Sequence, residues 1–121
     1  MTDFRYPRQL RLLTGGDFKR VFDRAVVKVP DQHLLILARP NDLGHPRIGF
    51  VISKKNVRRA VQRNRVRRII RDSFRLHQHQ LPALDMIILA RKGLDGLENP
   101  DLHALIKRCW TRADKKARKL T

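Results

Sequence analysis

Lys54-Lys55-Asn56-Val57-Arg58-Arg59-Ala60-Val61-Gln62-Arg63-Asn64-Arg65-Val66-Arg67-Arg68-Ile69-Ile70-Arg71-Asp72-Ser73-Phe74-Arg75 holds ten Lys or Arg against one acid, Asp72. At about 100° per residue, Asn64, Arg67, Arg68, Arg71 and Arg75 fall on one face of a helix, and Val66, Ile69, Ile70, Ser73 and Phe74 fall on the other. Such a helix needs an apolar layer beneath it and leaves an arginine stripe outside. Upstream the pattern breaks, because Val57, Ala60 and Val61 would land on the arginine side. The chain is therefore expected to turn near Ala60 to Asn64, with the long helix starting there. Arg63/Arg67, Arg67/Arg71 and Arg71/Arg75 are like charges one turn apart, each costing roughly 0.2–0.5 kcal/mol in an isolated helix. Phosphate would offset that cost, aided by backbone N–H groups at the helix start.

The layer beneath comes from the flanks. Downstream, the helix stops before Pro82, and Met86-Ile87-Ile88-Leu89-Ala90 reads as a buried central strand. Upstream, His33–Arg39 and Arg47–Ser53 read as strands, the second with Ile48, Phe50 and Ile52 on one side. Turn residues 40–46 between them predict an antiparallel pair. Val26–Val29 adds β-formers. Thr14-Gly15-Gly16-Asp17 predicts a capping box opening a helix with Phe18, Val21, Phe22 and Ala25 on one face. Arg91–Glu98 reads as a loop. Asn99 is expected to cap a last helix with Pro100 at its start and the stripe Leu102, Leu105, Ile106, Cys109, Trp110, Ala113. The order is α-β-β-β-α-β-α, an α+β class protein built as one α/β sandwich domain over 1–121, with 1–13 and 115–121 as flexible basic termini.

Composition narrows the partner. The 121 residues carry a net charge of +17, and self-repulsion of that size opposes compactness. A polyanion is the expected partner, nucleic acid before membrane. One cysteine, Cys109, excludes an internal disulfide, and its place on the apolar stripe makes it a small buried hydrophobe. No apolar stretch approaches the roughly 20 residues that span a bilayer, and 1–11 lacks a signal-peptide core. A soluble cytoplasmic protein is expected. The five histidines are scattered and the acids fall near element ends, so no catalytic residue and no metal site is expected in the protein. Abundant arginine favours bidentate phosphate contacts. No helix-turn-helix pattern, zinc spacing or heptad points to DNA, and RNA is the better fit. Phe18 and Phe22 read two ways: as core residues, or as a stacking platform with strand His33–Arg39 as its floor.

These residues together resemble the protein subunit of bacterial ribonuclease P, over roughly Leu10 to Trp110. The most specific match is Ser53-Lys54-Lys55 followed by Ala60 to Arg75, similar to a family signature in which "RNR" precedes a basic pair, an apolar pair and another Arg. Asp17–Phe22 looks like the family's first helix, and Leu43–Gly49 with Lys54–Ala60 looks like its proteobacterial branch. The resemblance implies a left-handed βαβ crossover, where the general rule is right-handed; the fold type is that of the second domain of a small-subunit ribosomal protein. It implies that the RNA subunit is bound by Arg63, Asn64, Arg65, Arg67, Arg68, Arg71 and Arg75. It implies that the 5′ leader of precursor tRNA lies in a cleft at Phe18, Phe22, Lys54, Lys55 and Ile36. It also implies catalytic Mg2+ held mainly by the RNA subunit and substrate, with ribonuclease P RNA and precursor tRNA as partners, no membrane and no obligate protein partner. Ala25 stands where many members have Gly, and Ile36 where some place an aromatic.

Three other classes are weighed against this. A structural RNA binder of the ribosomal type suits the same charge and size but needs only one RNA surface, whereas a leader-guiding subunit needs two. A stand-alone nuclease lacks residues for the chemistry. A polybasic membrane binder lacks an exposed apolar helix face.

Overall fold

The computed structural model describes residues 10–11 and 14–120. Three helices and a four-stranded sheet follow in the order α1 (Gly15–Arg24), β1 (Val27–Pro30), β2 (Leu34–Pro40), β3 (Arg47–Val51), α2 (Ala60–His77), β4 (Leu84–Ala90) and α3 (Asn99–Arg118). A 3₁₀ turn at Leu94–Gly96 interrupts the loop expected there.

Helix α1 starts where its box predicts. Thr14 Oγ1 accepts from the Asp17 amide at 3.1 Å, and Asp17 Oδ2 accepts from the Thr14 amide at 3.2 Å. It ends at Ala25 in extended backbone, φ −66° and ψ 120°, so no glycine is required there.

The sheet order is β1-β2-β4-β3. Strand β2 pairs antiparallel with β1 and β4, while β3 pairs parallel with β4. The expected β2–β3 pair is therefore corrected: β4 lies between them. The reason is burial. β4 is apolar along almost its whole length and is covered on both faces, so it takes the middle, while β3 goes to an edge.

The two faces carry different cores. Val29, Leu34, Ile36, Ile48, Met86 and Ile88 join Val66, Ile70 and Phe74 of α2 and Leu105, Ile106 and Trp110 of α3 in the larger one. Val21 and Ile87, with Phe18, Leu37 and Leu89 against them, form a smaller one under α1. The predicted apolar stripe of α3 is buried throughout. Trp110 donates its indole N–H to Ser73 Oγ at 2.9 Å and packs on Phe74 with ring centroids 5.9 Å apart.

Parts of both basic termini are described. Leu10 is buried in the larger core and Arg11 bridges to Ile48, while most of 1–13 lies outside the described residues. Residues 115–118 belong to α3, because Ala113 and Ala117 continue its buried side. Asn99 is the first helical residue after the cap position at Glu98, and its side chain turns to Arg65 instead of capping.

Candidate nucleic-acid interface

Helix α2 has the two sides its sequence predicts. Val66, Ile69, Ile70, Ser73 and Phe74 are buried, whereas Asn64, Arg68 and Arg71 are exposed and Arg67 and Arg75 half-buried. Its start at Ala60 has no side-chain cap and no acid in the first turn. Positive Arg58, Arg59 and Arg63 crowd the end of the helix that favours anions.

The change of direction before α2 is built by identifiable bonds. Val57 is buried, and its amide donates to the Ser53 carbonyl at 3.0 Å. Asn56 Nδ2 reaches the Ala90 carbonyl at 2.9 Å, pinning the turn to the end of β4. Arg63 Nη1 donates to the carbonyls of Val57 and Arg58 at 3.0 and 2.9 Å. Lys54 and Lys55 stand exposed on this turn.

The Arg63-Asn64-Arg65 motif thus divides its labour. Arg65 donates from Nε to Gln62 Oε1 at 2.8 Å, from Nη1 to Asn99 Oδ1 at 2.6 Å, and from Nη2 to the carbonyls of Asp95 and Leu97 at 3.3 and 3.0 Å. It latches α2 to the loop that leads into α3. Asn64 accepts from Arg67 Nη1 at 3.2 Å and remains exposed. Asn64, Arg68 and Arg71 face solvent and share a surface hollow with Val61, Gln62 and Arg65.

On the other side, Phe18 is half-buried and Phe22 is 45% exposed. A groove of about 260 Å³ brings Phe18 together with Arg11, Ile48, Gly49, Phe50, Arg67 and Arg71. It runs over β3, the sheet edge, where Gly49 has no side chain to fill it. The arginine side of α2 and the aromatic side of α1 therefore meet here. Arg11, Gly49 and Phe50 were not singled out from sequence, because periodicity assigns a residue to a strand face and does not show which helix reaches that strand.

Ile36 does not belong with this group. It is 0% exposed in the larger core, beneath α2 and α3. The correction is one of strand phase: on β2, Leu34, Ile36 and Ala38 point to that core, while Leu35, Leu37 and Arg39 are half-buried toward α1.

Among the described residues no three His, Cys, Asp or Glu side chains come together as a metal site. Burial, the largest influence, pushes the Cys109 thiol up to about 11, with Asp31 adding to it, so it is a poor nucleophile. The polar group at the end of the sheet is structural. Arg47 grips Asp85 in a bidentate pair at 2.8 and 2.7 Å, and Asn41 Nδ2 adds a 2.8 Å bond to Asp85. The hydrogen bond to Asp85 raises the Arg47 guanidinium above its ordinary value. Among the described residues no helix is long and apolar enough to cross a membrane.

Known proteins share the family and the fold. The family model described as Ribonuclease P matches residues 6–114. A ribonuclease P protein component of Chromohalobacter salexigens is 56% identical over 119 residues, covering 98% of this chain and 93% of that one. One from Pseudomonas putida is 56% identical over 107 residues, covering 88% and 80%. Among solved structures, the Staphylococcus aureus RNase P protein superposes with a TM-score of 0.76 at 26% identity, covering 82% of this chain and 90% of its own. The Thermotoga maritima RNase P protein shares the fold, with a TM-score of 0.74 at 23% identity over 84% and 96%. These likenesses do not favour the structural binder with no reaction attached. A basic helix laid on a four-stranded sheet, the matched family model and relatives identical at more than half the aligned positions lead to one conclusion: the chain belongs to the ribonuclease P protein family, as an accessory subunit of that enzyme.

Proposed function

We propose that this chain binds the RNA subunit of ribonuclease P through α2 and holds the 5′ leader of precursor tRNA in the groove beside Phe18, assisting removal of the leader. One observation carries the reading: Phe18, Arg67 and Arg71 line a single groove. A ring and two guanidinium groups around one trough suit a single strand, whose bases stack and whose phosphates pair. Arg68, Asn64 and the outer side of Arg71 take the RNA subunit, and Arg63 and Arg65 hold the surface in shape. Phe22, Lys54 and Lys55 extend the leader path from two sides. Catalytic Mg2+ belongs to the RNA subunit and substrate. The complex acts in the cytoplasm and needs no second protein.

The test is to add the purified protein to a bacterial ribonuclease P RNA at low Mg2+ and follow leader removal. Stimulation is expected, and cleavage by the protein alone would overturn the division of labour. With the holoenzyme, Phe18→Ala should weaken precursor tRNA binding by about 1–3 kcal/mol while leaving mature tRNA nearly unchanged. Equal losses for both substrates would remove the leader from this groove.

A further inference from the structure

The positive charge of the chain is concentrated in two segments. Residues 54–75 carry ten cations and one acid, residues 107–119 carry seven and one, and the remainder carries eleven and nine. The second segment lies in α3 and the residue after it, and the interface on α2 makes no use of it.

Its cations are ordered. Arg108, Arg112, Lys115 and Lys119 recur at i, i+4, i+7 and i+11, forming one row about 16.5 Å long at ~1.5 Å per residue. Arg108, Lys115 and Lys119 are exposed and Arg112 is half-buried. The segment's acid, Asp114, lies off the row. It accepts from Arg118 Nε at 3.0 and 3.1 Å and faces the end of α2 with Lys107 and Thr111. Among the described residues no ion pair joins the row to an acid. Arg108/Arg112, Arg112/Lys116 and Lys115/Lys119 are like charges one turn apart, each unfavourable without an anion between them.

The row also looks away from α2. Lys107, Thr111 and Asp114 occupy the flank toward α2, and Lys116 on the opposite flank donates to the Lys28 carbonyl of β1. Strand β1 is one edge of the sheet; β3, beside which Arg67 and Arg71 sit, is the other. Three strand spacings, about 14 Å, separate those edges. The row carries no ring: the exposed Phe22 belongs to α1, on the sheet's other face. Single-stranded RNA is gripped by stacking, whereas a duplex is gripped through its phosphates and shape.

We propose that the Arg108–Arg112–Lys115–Lys119 row of α3 is a second RNA surface, separate from the α2 face, that takes the phosphate backbone of an RNA duplex. The full chain is titrated by calorimetry with a 12-base-pair RNA duplex at low salt. Two duplexes per chain are expected for the wild type. One is expected for R108Q/R112Q/K115Q/K119Q, and one for R67Q/R68Q/R71Q. Glutamine keeps helix propensity at these outward positions, and circular dichroism checks that the fold survives. Lys115→Gln alone should lower the salt slope of the α3 event by about one unit. A quadruple variant that takes as many duplexes as the wild type overturns the proposal. So does a quadruple variant that loses binding to phosphatidylserine vesicles and keeps both duplexes. A single wild-type duplex that R67Q/R68Q/R71Q keeps and the quadruple variant loses supports the row alone. Leader removal by the holoenzyme does not enter this readout, so either reading can fail alone.

Discussion

Arg65 and Arg68 are three residues apart on one helix, and the structure gives them different work. Arg65 makes four hydrogen bonds to Gln62, Asn99 and the 95–97 loop; Arg68 is exposed on the outer hollow. Arg65→Ala should lower unfolding free energy by about 2–3 kcal/mol, since carbonyl groups it satisfies lose a charged donor. Arg68→Ala should change stability by no more than about 0.5 kcal/mol and lower the salt slope of RNA-subunit binding by about one unit. Urea unfolding and salt titrations separate the two; identical behaviour of the variants would contradict this division. Cys109 gives a pH signature. Its folded thiol is raised from 9.0 to about 11. The folded form therefore keeps its proton after the unfolded form has lost it, so this group's contribution is complete below pH 9 and is lost as pH rises toward 11. Compared with Cys109→Ala, the wild type should show the steeper decline in stability over that window. Native protein at pH 8 should resist thiol reagents until it unfolds.

At the scale of elements, the sheet end near Asp85 is the place where one change does most damage. Arg47, Asn41 and Asp85 tie β3, the 40–46 turn and β4 together. Asp85→Ala leaves a guanidinium that is 15% exposed without its principal partner. A loss of about 3–5 kcal/mol is expected from thermal or urea unfolding. Much of each element was legible in the sequence. The Thr14/Asp17 box follows from local chemistry, because its partners sit three residues apart, and the turn before α2 in part, through Ser53, Val57, Arg58 and Arg63, although Asn56 reaches to Ala90. Strand order was not legible: alternation says which face a residue takes, and nothing in β2 or β3 announces that β4 will come between them. Ile36 came from the resemblance alone, and with leucines on both faces of β2 the sequence offered no check on its phase. The latch role of Arg65 depends on Asp95, Leu97 and Asn99, thirty and more residues away, and a charge count could not reveal it.

For the whole molecule, the net charge of +17 resolves into two surfaces on one α+β frame. The recognisable signature marks the α2 surface, and the frame decides where each charge points. A fold whose sheet has α1 on one face and α2 with α3 on the other can present a groove at the β3 edge and a row at the β1 edge. The groove needs both layers, because Phe18 comes from one and Arg67 and Arg71 from the other. Substitutions confined to α2 therefore address only part of the binding surface.

The central position of β4 also constrains how the chain acquires its structure. Neighbours β2 and β3 cannot zip together as a hairpin; they must wait for a strand that follows them by more than thirty residues. Until β4 arrives, α2 has no finished floor for its apolar side. One late insertion completes both cores, since Ile87 serves one and Ile88 the other. Such a chain should acquire its tertiary order in a single slow step governed by distant contacts. Loss of Trp110 fluorescence and loss of helical circular dichroism should then share one midpoint in urea. Two separated midpoints would show that α2 and α3 persist without the strand that joins the layers.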